Sequence, residues 1–383
     1  MQLDQLASDV IEFRRELHKI PENGFEEHKT SQYLQTVLKS LNIDFEIVFG
    51  TGILAYIKGR DPKRTLAFRT DMDGLPVTEE SSCSVHSEHK GYMHACGHDG
   101  HMAMMLGFAK WLSENSNDVL DNILLIFQPA EEGPGGASPI VKGGYLKKYH
   151  VDEIYGIHLY PVVPEGKFGL KSGAMMAMTG ELDIDIITKS AHGAQPHQGI
   201  DAIVIAAQLI SALQSIVSRN VSPIKSSVLT IGRLESGERR NIISGSARLE
   251  GTLRAFDKAV YELLKKRIVE ILEGYKIAYD LDYKIEIRDL YPPVINDNRL
   301  FEQFVRIQGA DQCVVLEEQM ISEDFAFYQE AVPGLFYFVG TYNAEKGYTF
   351  PLHNSKFNFD ETVLLNGIKS YVNVLLDYNK SRK

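Results

Sequence analysis

Two short segments that are rich in metal-ligating side chains place the strongest constraint on how this chain can fold. The first, Tyr92–His101, reads YMHACGHDGH, and the second, Gln128–Glu132, reads QPAEE; each lies at the edge of a strongly apolar run. Thiolate, imidazole and carboxylate ligands gathered in this way suit a first-row divalent metal such as zinc, manganese or cobalt. The fold must therefore bring both segments together where buried scaffold meets solvent. The pattern predicts a metal-dependent hydrolase with two metals.

The size, charge and cysteine content limit the organisation of the chain and its partners. With 383 residues it exceeds what one hydrophobic core usually holds, which predicts two domains. The net charge of −11, without long basic runs, argues against a nucleic-acid or anionic-membrane partner. The N-terminus lacks the order of a signal peptide, and no apolar run is expected to span a bilayer. Three cysteines argue against a disulfide framework and predict a cytoplasmic protein with reduced thiols.

Strand and helix patterns alternate through the first half of the chain and define the expected fold class. Apolar runs bounded by turn residues predict strands at 44–49, 53–58, 65–69, 122–127 and 153–158. Three-to-four spacing of apolar residues predicts two helices within 5–42 and another at 101–112. This alternation predicts an α/β domain with a mostly parallel sheet and helices on both faces. Ligands collect beyond the carboxyl ends of such strands, which is the expected place of Asp71, Glu131, Glu132 and His158.

The pattern changes at about residue 180 and returns near 290. Between these positions the candidates follow the order strand-helix-strand-strand-helix-strand, which is that of a small α+β sandwich. The chain is therefore expected to form a discontinuous domain from 1–179 and 291–383, interrupted by an inserted domain at 180–290. After the return, a strand is expected at 335–339 and a helix from about Thr362, with Asp360 as its N-cap.

The Cys96-Gly-His98 triplet is the first candidate for metal binding. Alternate residues on extended backbone point to the same side, which would let this thiolate and imidazole converge. An isolated pair of this kind is more often a buried cysteine beside a loop histidine. Here His94, Asp99 and His101 crowd the segment, and it opens a predicted helix whose N-terminus favours thiolate over thiol. This context favours metal binding, and a thiolate can also bridge two cations.

The adjacent Glu131 and Glu132 supply the second part of the predicted site. Neighbouring carboxylates repel each other and would be unremarkable on a surface. At the end of a buried strand they make sense if one binds a cation while the other takes a proton from water and returns it. Asp71 is expected to accept an N–H from a metal-binding histidine, whereas Asp73 could equally cap a turn.

The remaining ligands must come from histidines that are distant in sequence. The residues above provide three ligands, Cys96, His98 and Glu132, and two cations need more. A lone histidine is more often a hydrogen-bonded core or loop residue than a ligand. The shortfall nevertheless makes His158 and His353 the candidates for the missing positions.

Seven motifs, taken together, resemble a known family. In chain order they are RTDMDGLP, MHACGHDGH, QPAEEGPGG, GIHLYP, AHGAQPHQG, ISEDF and PLHN. Their content and order are similar to the M20 metallopeptidase family, in the amidohydrolase branch that includes hippurate hydrolases, auxin-conjugate hydrolases and N-acetyldiaminopimelate deacetylases. The resemblance implies two divalent metal ions (zinc, manganese, cobalt or nickel), a bridging thiolate, and the ligands Cys96, His98, Glu132, His158 and His353.

The same resemblance implies roles for other residues. Asp71 matches the active-site aspartate of the family, and Glu131 matches its general base. The inserted domain matches a lid and dimerisation domain, which implies a homodimer. Within it, His192 matches a histidine that approaches the substrate carbonyl, and Asn241 matches a polar residue near the substrate carboxylate. The chain departs from the family at 188–194, TKSAHGA, where the glycine-rich surroundings of the lid histidine are missing.

The expected activity is hydrolysis of a small-molecule N-acyl amino acid, which releases a carboxylic acid and the free amino acid. The segment IVSRNVSP at 216–223 is most similar to the N-acetyldiaminopimelate deacetylases of lysine biosynthesis, which indicates the substrate. One alternative is a broader hippurate-type hydrolase or a di- or tripeptidase on the same site. A second is a protein that binds metal or amino acid without catalysis, and a third is a hydrolase with Cys96 as its nucleophile.

Overall fold

The computed structural model describes residues 3–382, which divide into two compact units. The first unit contains the chain up to Gly173, Ile295–Glu317 and the chain from Asp324 onward; the second contains Ala174–Val294 and Glu318–Glu323. The predicted inserted domain at 180–290 falls within the second unit, whose main segment extends a few residues further at each end. Glu318–Glu323, which was expected in the discontinuous domain, belongs to the second unit.

The elements are named in chain order over the described residues. The strands are β1 (Phe45–Val48), β2 (Gly52–Ile57), β3 (Thr65–Asp71), β4 (Asn122–Gln128), β5 (Val151–Pro164), β6 (Phe168–Leu170), β7 (Gly173–Met176), β8 (Met178–Ile187), β9 (Ala191–His192), β10 (Ser227–Ser236), β11 (Ile242–Ile243), β12 (Ser246–Ala255), β13 (Asp282–Tyr291), β14 (Val294–Asn296), β15 (Cys313–Val315) and β16 (Gly334–Tyr342). The helices are α1 (Ala7–His18), α2 (His28–Ser40), α3 (His98–Glu114), α4 (Ala137–Lys142), α5 (Tyr145–Lys148), α6 (Ala202–Arg219), α7 (Lys258–Tyr279), α8 (Asn298–Gln308), α9 (Ala326–Ala331) and α10 (Leu364–Lys380).

The first unit is built on an eight-stranded sheet in the order β1-β2-β4-β3-β5-β16-β6-β15. The central strands β4, β3, β5 and β16 are mutually parallel, and the antiparallel pairs β1–β2, β2–β4 and β6–β16 lie towards the edges. Parallel strands are joined by crossovers that place helices on the faces of a sheet. The predicted α/β class with a mostly parallel sheet is confirmed.

Alternating side chains of this sheet pack on opposite faces. On one face, Phe68 of β3 contacts Phe108 of α3, with the ring centroids 4.9 Å apart. Tyr337 of β16 belongs to the same core cluster as Phe68, so its neighbour Phe336 points to the other face. There Phe336 contacts Phe325, the residue before α9, at 5.3 Å. Both faces of the central strands are thus covered.

The carboxyl ends of the central strands lie close together and position the site. Asp71, expected just past β3, is the last residue of that strand and lies opposite the last residue of β4. The predicted end of β5 at His158 is wrong: the strand continues to Pro164, because it keeps pairing with β16. His158 still lies level with Asp71, since Arg69 pairs with Gly156 and both residues come two positions later.

The second unit is a four-stranded antiparallel sheet, in the order β10-β12-β8-β13, with α6 and α7 packed on one face. Leu182 of β8 points into the core that these helices share. The next residue, Asp183, points the other way and forms ion pairs of 3.0 Å with Arg248 and Arg288. Apart from the short β9 and β11, the elements follow the predicted order.

One helix contradicts the expectation that no apolar run could span a bilayer. By length and composition alone, α6 is apolar enough, with a mean hydropathy of 1.5 over 18 residues. A single helix of this kind is weak evidence, since the core helices of soluble proteins pass the same test. Leu209 and Leu213 of α6 are fully buried in the core of the second unit.

Candidate metal centre

A left-handed residue, and not the expected extended backbone, connects Cys96 to His98. Gly97 between them has a φ of 85°, and His98 is the first residue of α3. This conformation suits glycine, and a Cβ at the same position would lie 3.3 Å from Leu159 Cδ1. Cys96 and His98 are 6% and 0% exposed. A sharp turn at the start of a helix therefore connects the two residues, and each belongs to a group of ligand atoms that includes Glu132.

Glu131 and Glu132 follow β4 in a turn that begins with a second left-handed residue, Ala130, whose φ is 56°. The backbone N–H of Glu132 donates to Asp73 Oδ2 at 2.9 Å, which fixes the turn against the loop after β3. Glu131 Oε2 lies 4.0 Å from His98 Nε2. Ligand atoms of His98 and both glutamates lie within 4.8 Å of one another. The turn thus brings two carboxylates to the N-terminus of α3.

His353 reaches the same place although 257 positions separate it from Cys96. Its backbone N–H donates to the carbonyl of Ala95 at 2.9 Å, which fixes its loop beside the Cys96 segment. His353 Nε2 lies 3.3 Å from Cys96 Sγ and 3.0 Å from Glu132 Oε1. Because its side chain is 54% exposed, His353 forms the solvent side of the site.

The five predicted ligands converge with separations that suit metal binding. Cys96 Sγ lies 3.4 Å from His158 Nε2 and 3.3 Å from His353 Nε2. Two donors that each lie about 2.0–2.3 Å from one tetrahedral cation are roughly 3.3–3.7 Å from each other. Cys96, Glu132 and His353 form one group of ligand atoms, and His98 with both glutamates forms another. Glu132 belongs to both groups, which is the arrangement expected around neighbouring cations.

Backbone carbonyls fix the orientation of two imidazoles. His158 Nδ1 lies 2.6 Å from the carbonyl oxygen of Leu159, and His98 Nδ1 lies 2.9 Å from that of Asp73. A carbonyl oxygen only accepts, so Nδ1–H donates in both rings and each Nε2 is directed at the site. Among the residues that the structure describes, the buried His98 Nε2 has no hydrogen-bond partner. A buried polar atom without a hydrogen-bond partner destabilises the folded protein unless a ligand binds to it.

His101 belongs to the same cluster, but both of its nitrogens are already used. The backbone N–H of Leu159 donates to His101 Nε2 at 2.8 Å, and Nδ1–H donates to Asp71 Oδ1 at 2.7 Å. Burial lowers the pKa of His101 despite this carboxylate. His101 is therefore a neutral partner of Asp71 and not a ligand. This role of His101 was not predicted from the sequence, although its three-residue spacing from His98 places both histidines on one face of α3.

Asp73, and not Asp71, receives the N–H of a predicted ligand. His98 Nδ1 lies 3.2 Å from Asp73 Oδ1, in addition to its contact with the Asp73 carbonyl. Because Asp73 also accepts the backbone N–H of Glu132, it orients two predicted ligands. Asp71 instead accepts from His101 and from Arg69 Nη1, the latter at 2.9 Å. The expected hydrogen bond from a metal-binding histidine to Asp71 is therefore made to Asp73 instead. This contact supports a role for Asp73 at the site rather than in capping a turn.

The charges around the site favour a cation. Burial, reinforced by Glu132 and Glu131, raises the pKa of Cys96 well above its usual value, so a thiolate needs a cation beside it. Burial opposes a proton on His98, but Asp71 and Asp73 outweigh this and raise its pKa to about 10. The same carboxylates would stabilise a divalent cation at His98 Nε2. The donor set, its spacing and its charge therefore fit a metal centre.

A buried arginine anchors the acidic side of the site. Arg69 is 0% exposed and donates to Asp71 Oδ2 and Asp324 Oδ1, each at 2.9 Å. Burial would raise the pKa of Asp71, but His101, His98 and Arg69 together hold it well below its usual range. Asp71 therefore keeps a negative charge in the interior of the first unit, and Arg69 is the permanent cation that compensates it.

Replacing Arg69 by methionine is expected to destabilise the protein strongly. The change keeps an apolar side chain but leaves Asp71 and Asp324 without their shared cation, which costs about 3–5 kcal/mol when a buried pair is broken. The Tm, followed by circular dichroism, should fall by roughly 5–15 °C. Arg248→Met, on the open face of the second unit, is the matched control and should change the Tm little. Equal shifts for the two variants would contradict the prediction.

The second unit brings His192 and Asn241 next to each other. His192 of β9 lies opposite Ile242 of β11, and the backbone N–H of Gly193 donates to Asn241 O at 2.7 Å. A Cβ at Gly193 would lie 2.9 Å from the backbone of Asn241, which explains the glycine after His192. Both predicted substrate-binding residues are exposed. Their contact with substrate remains a prediction.

Metal-dependent hydrolases of amide bonds are the class that this fold and this donor set define. The chain belongs to peptidase family M20/M25/M40, whose family model matches residues 67–377. The family resemblance seen in the seven motifs is thereby confirmed.

Relatives of known name and structure agree with this assignment. The chain is 42% identical over 364 residues to N-acetyldiaminopimelate deacetylase of Brevibacillus brevis, with 94% of this chain and 95% of that protein covered. It is 41% identical to the protein of the same name from Anoxybacillus flavithermus, with 92% and 93% covered. The crystal structure of the Bacillus subtilis YXEP protein, described as a dinuclear metal-binding peptidase of family M20, is similar with a TM-score of 0.86 and 31% identity over 98% of this chain and 99% of that one.

Proposed function

We propose that this chain hydrolyses N-acetyldiaminopimelate to acetate and diaminopimelate, as a step of lysine biosynthesis. One observation carries the hydrolase proposal: Cys96 Sγ lies within 3.4 Å of an imidazole nitrogen of both His158 and His353, which are far away in sequence. The substrate is proposed from the relatives named N-acetyldiaminopimelate deacetylase, which are similar over almost the whole chain.

Five side chains would hold two divalent cations: Cys96, His98, Glu132, His158 and His353. Divalent cations supply Lewis acidity, which polarises an amide carbonyl. It also lowers the pKa of water, so that water can lose a proton and attack near neutral pH. Thiolate, imidazole and carboxylate together suit zinc, manganese, cobalt or nickel. Asp73 supports this role because it holds both the His98 ring and the Glu132 backbone.

Glu131 is the proposed general base. It would accept a proton from the attacking water and then pass that proton to the leaving nitrogen, so that the carbon–nitrogen bond breaks and a neutral amine leaves. Its place beside the ligand Glu132, 4.0 Å from His98 Nε2, supports this role. Asp71 would take no proton, since Arg69 and His101 already occupy its two oxygens.

The second unit would contribute to substrate binding as a lid. We propose that His192 stabilises the negative charge that develops on the amide oxygen, a contribution worth about 3–4 kcal/mol for a well-placed donor. Asn241 would donate to the substrate carboxylate. Their exposure and their pairing through β9 and β11 support a joint role.

A matched pair of substrates tests the specificity. N2-acetyl-lysine is N-acetyldiaminopimelate without its second carboxylate, and hydrogen bonds to a charged group contribute about 1.5–3 kcal/mol. After metal loading, kcat/KM for acetate release should therefore be about 10- to 100-fold higher for N-acetyldiaminopimelate. Equal values for the pair, or for hippurate, would indicate a broader hydrolase. Faster cleavage of a Gly-Leu dipeptide would indicate a peptidase, and no turnover of any of them would indicate a binding protein.

We also propose that the chain forms a homodimer through the second unit and acts in the cytoplasm on a small molecule. The family resemblance supports the dimer, and the three free cysteines support a reducing compartment. Light scattering that gave the mass of a single 43.0 kDa chain at working concentration would contradict the dimer.

A further inference from the structure

The turn Pro21–Glu27, between α1 and α2, packs against both loops that carry the proposed chemistry. The backbone N–H of Gly74, in the loop after β3, donates to Glu22 O at 2.7 Å. A Cβ at Gly24 would lie 2.6 Å from Gly133 O and 2.7 Å from Ala130 Cβ, so this turn touches the Glu131 loop directly. From the sequence alone, this segment is predicted only to separate two helices.

Glu27 is a buried carboxylate within this contact. It is 0% exposed, and its Oε1 accepts the backbone N–H of Ala130 at 2.9 Å. Its Oε2 accepts from Thr51 Oγ1 at 2.6 Å, which fixes the carboxylate from the other side. Glu27 stands at the N-cap of α2, yet its side chain makes no capping hydrogen bond. Its side chain therefore holds the Glu131 loop and does not cap its own helix.

We propose that Glu27 is a positioning residue for Glu131, an inference that rests on the proposed function. Ala130 immediately precedes Glu131 and has a φ of 56°, a conformation that a residue with a Cβ keeps only when its surroundings impose it. The hydrogen bond that the Ala130 backbone N–H donates to Glu27 Oε1 imposes this conformation. Glu132 has an anchor of its own, because its backbone N–H donates to Asp73 Oδ2. Glu27 thus fixes the base independently of the neighbouring ligand.

A double-mutant cycle separates positioning from general stability. Glu27→Ala should lower kcat by about 10- to 100-fold, the cost of misplacing a catalytic group by about an ångström, with KM and metal content unchanged. In a Glu131→Gln background the same change should lower kcat less than about twofold, because the group that Glu27 positions is already disabled. Glu27→Gln should retain most activity, since its amide oxygen can accept from Ala130 and its N–H can donate to Thr51. Glu26→Ala, at the exposed neighbouring position, is the control and should match the parent chain.

Three outcomes would overturn the proposal: equal losses of kcat in both backgrounds, loss of metal from Glu27→Ala, or an unchanged kcat. If Glu27→Ala does not fold, Glu27→Asp, which shortens the side chain by one methylene, takes its place in the cycle with the same expectations. Inactivity of the parent chain after metal loading would instead reject the proposed function. An active parent chain with an additive cycle rejects only the role of Glu27.

Discussion

Replacing Glu131 by glutamine is expected to lower kcat by about 10²–10⁴-fold while leaving the metal content unchanged. Glutamine has the shape of glutamate but cannot take a proton from water at neutral pH. The group of ligand atoms formed by Cys96 and His353 includes Glu132 but not Glu131, which is why the metal content should not change. Steady-state rates of acetate release, together with elemental analysis of the purified variant, provide the measurement.

Glu132→Gln is the matched control, because it makes the same chemical change one residue away. Glu132 Oε1 lies 3.0 Å from His353 Nε2, among the proposed ligands, so this variant should lose metal as well as activity. The two variants should therefore separate proton transfer from metal binding. A Glu131→Gln variant with nearly full kcat would remove Glu131 as the base, and one that lost its metal would make it a ligand.

The second large effect is expected at Cys96. Cys96→Ala should abolish both metal binding and turnover, because the sulfur lies within 3.4 Å of His158 Nε2 and His353 Nε2 and is a proposed ligand at the centre of the donor set. Metal content and kcat, measured on the same preparation and again after adding excess zinc or manganese, provide the test. A variant that kept both cations would show that Cys96 is not a ligand.

Treating the parent chain with a chelator separates this prediction from catalysis by a cysteine nucleophile. Burial and the neighbouring glutamates raise the pKa of Cys96, so without a cation the sulfur is a protonated thiol and a poor nucleophile. We expect the chelator to remove activity and added metal to restore it. Activity that survives complete removal of metal, combined with inactivation by iodoacetamide, would favour the nucleophile instead.

The sequence predicted several of the residues that lie close together at the candidate site, but not the backbone and contacts that bring them there. Cys96, His98 and Glu132 were recognisable because soft, intermediate and hard ligands adjoin apolar strands. Three other features depend on tertiary contacts, which a local sequence pattern does not contain. They are the left-handed conformation of Gly97, the length of β5, and the hydrogen bond from the His353 backbone N–H to the Ala95 carbonyl.

The assignment of the two aspartates shows the same limit. Asp71 and Asp73 are two positions apart at the end of one strand, and spacing cannot decide which histidine each will contact. That choice depends on where α3 begins, since His98 and His101 occupy its first turn. Glu27 was missed for a similar reason: an isolated glutamate at a helix start usually interacts with its own helix.

The hydrogen bonds that His98 and His158 make with main-chain carbonyls hold both rings without help from an ion. Both rings are oriented by main-chain oxygens of Asp73 and Leu159. These oxygens belong to the scaffold, so we expect the protein to fold before it acquires an ion. We therefore expect metal loading to demand little rearrangement, and the supply of ions in the cell to decide largely which ion is bound.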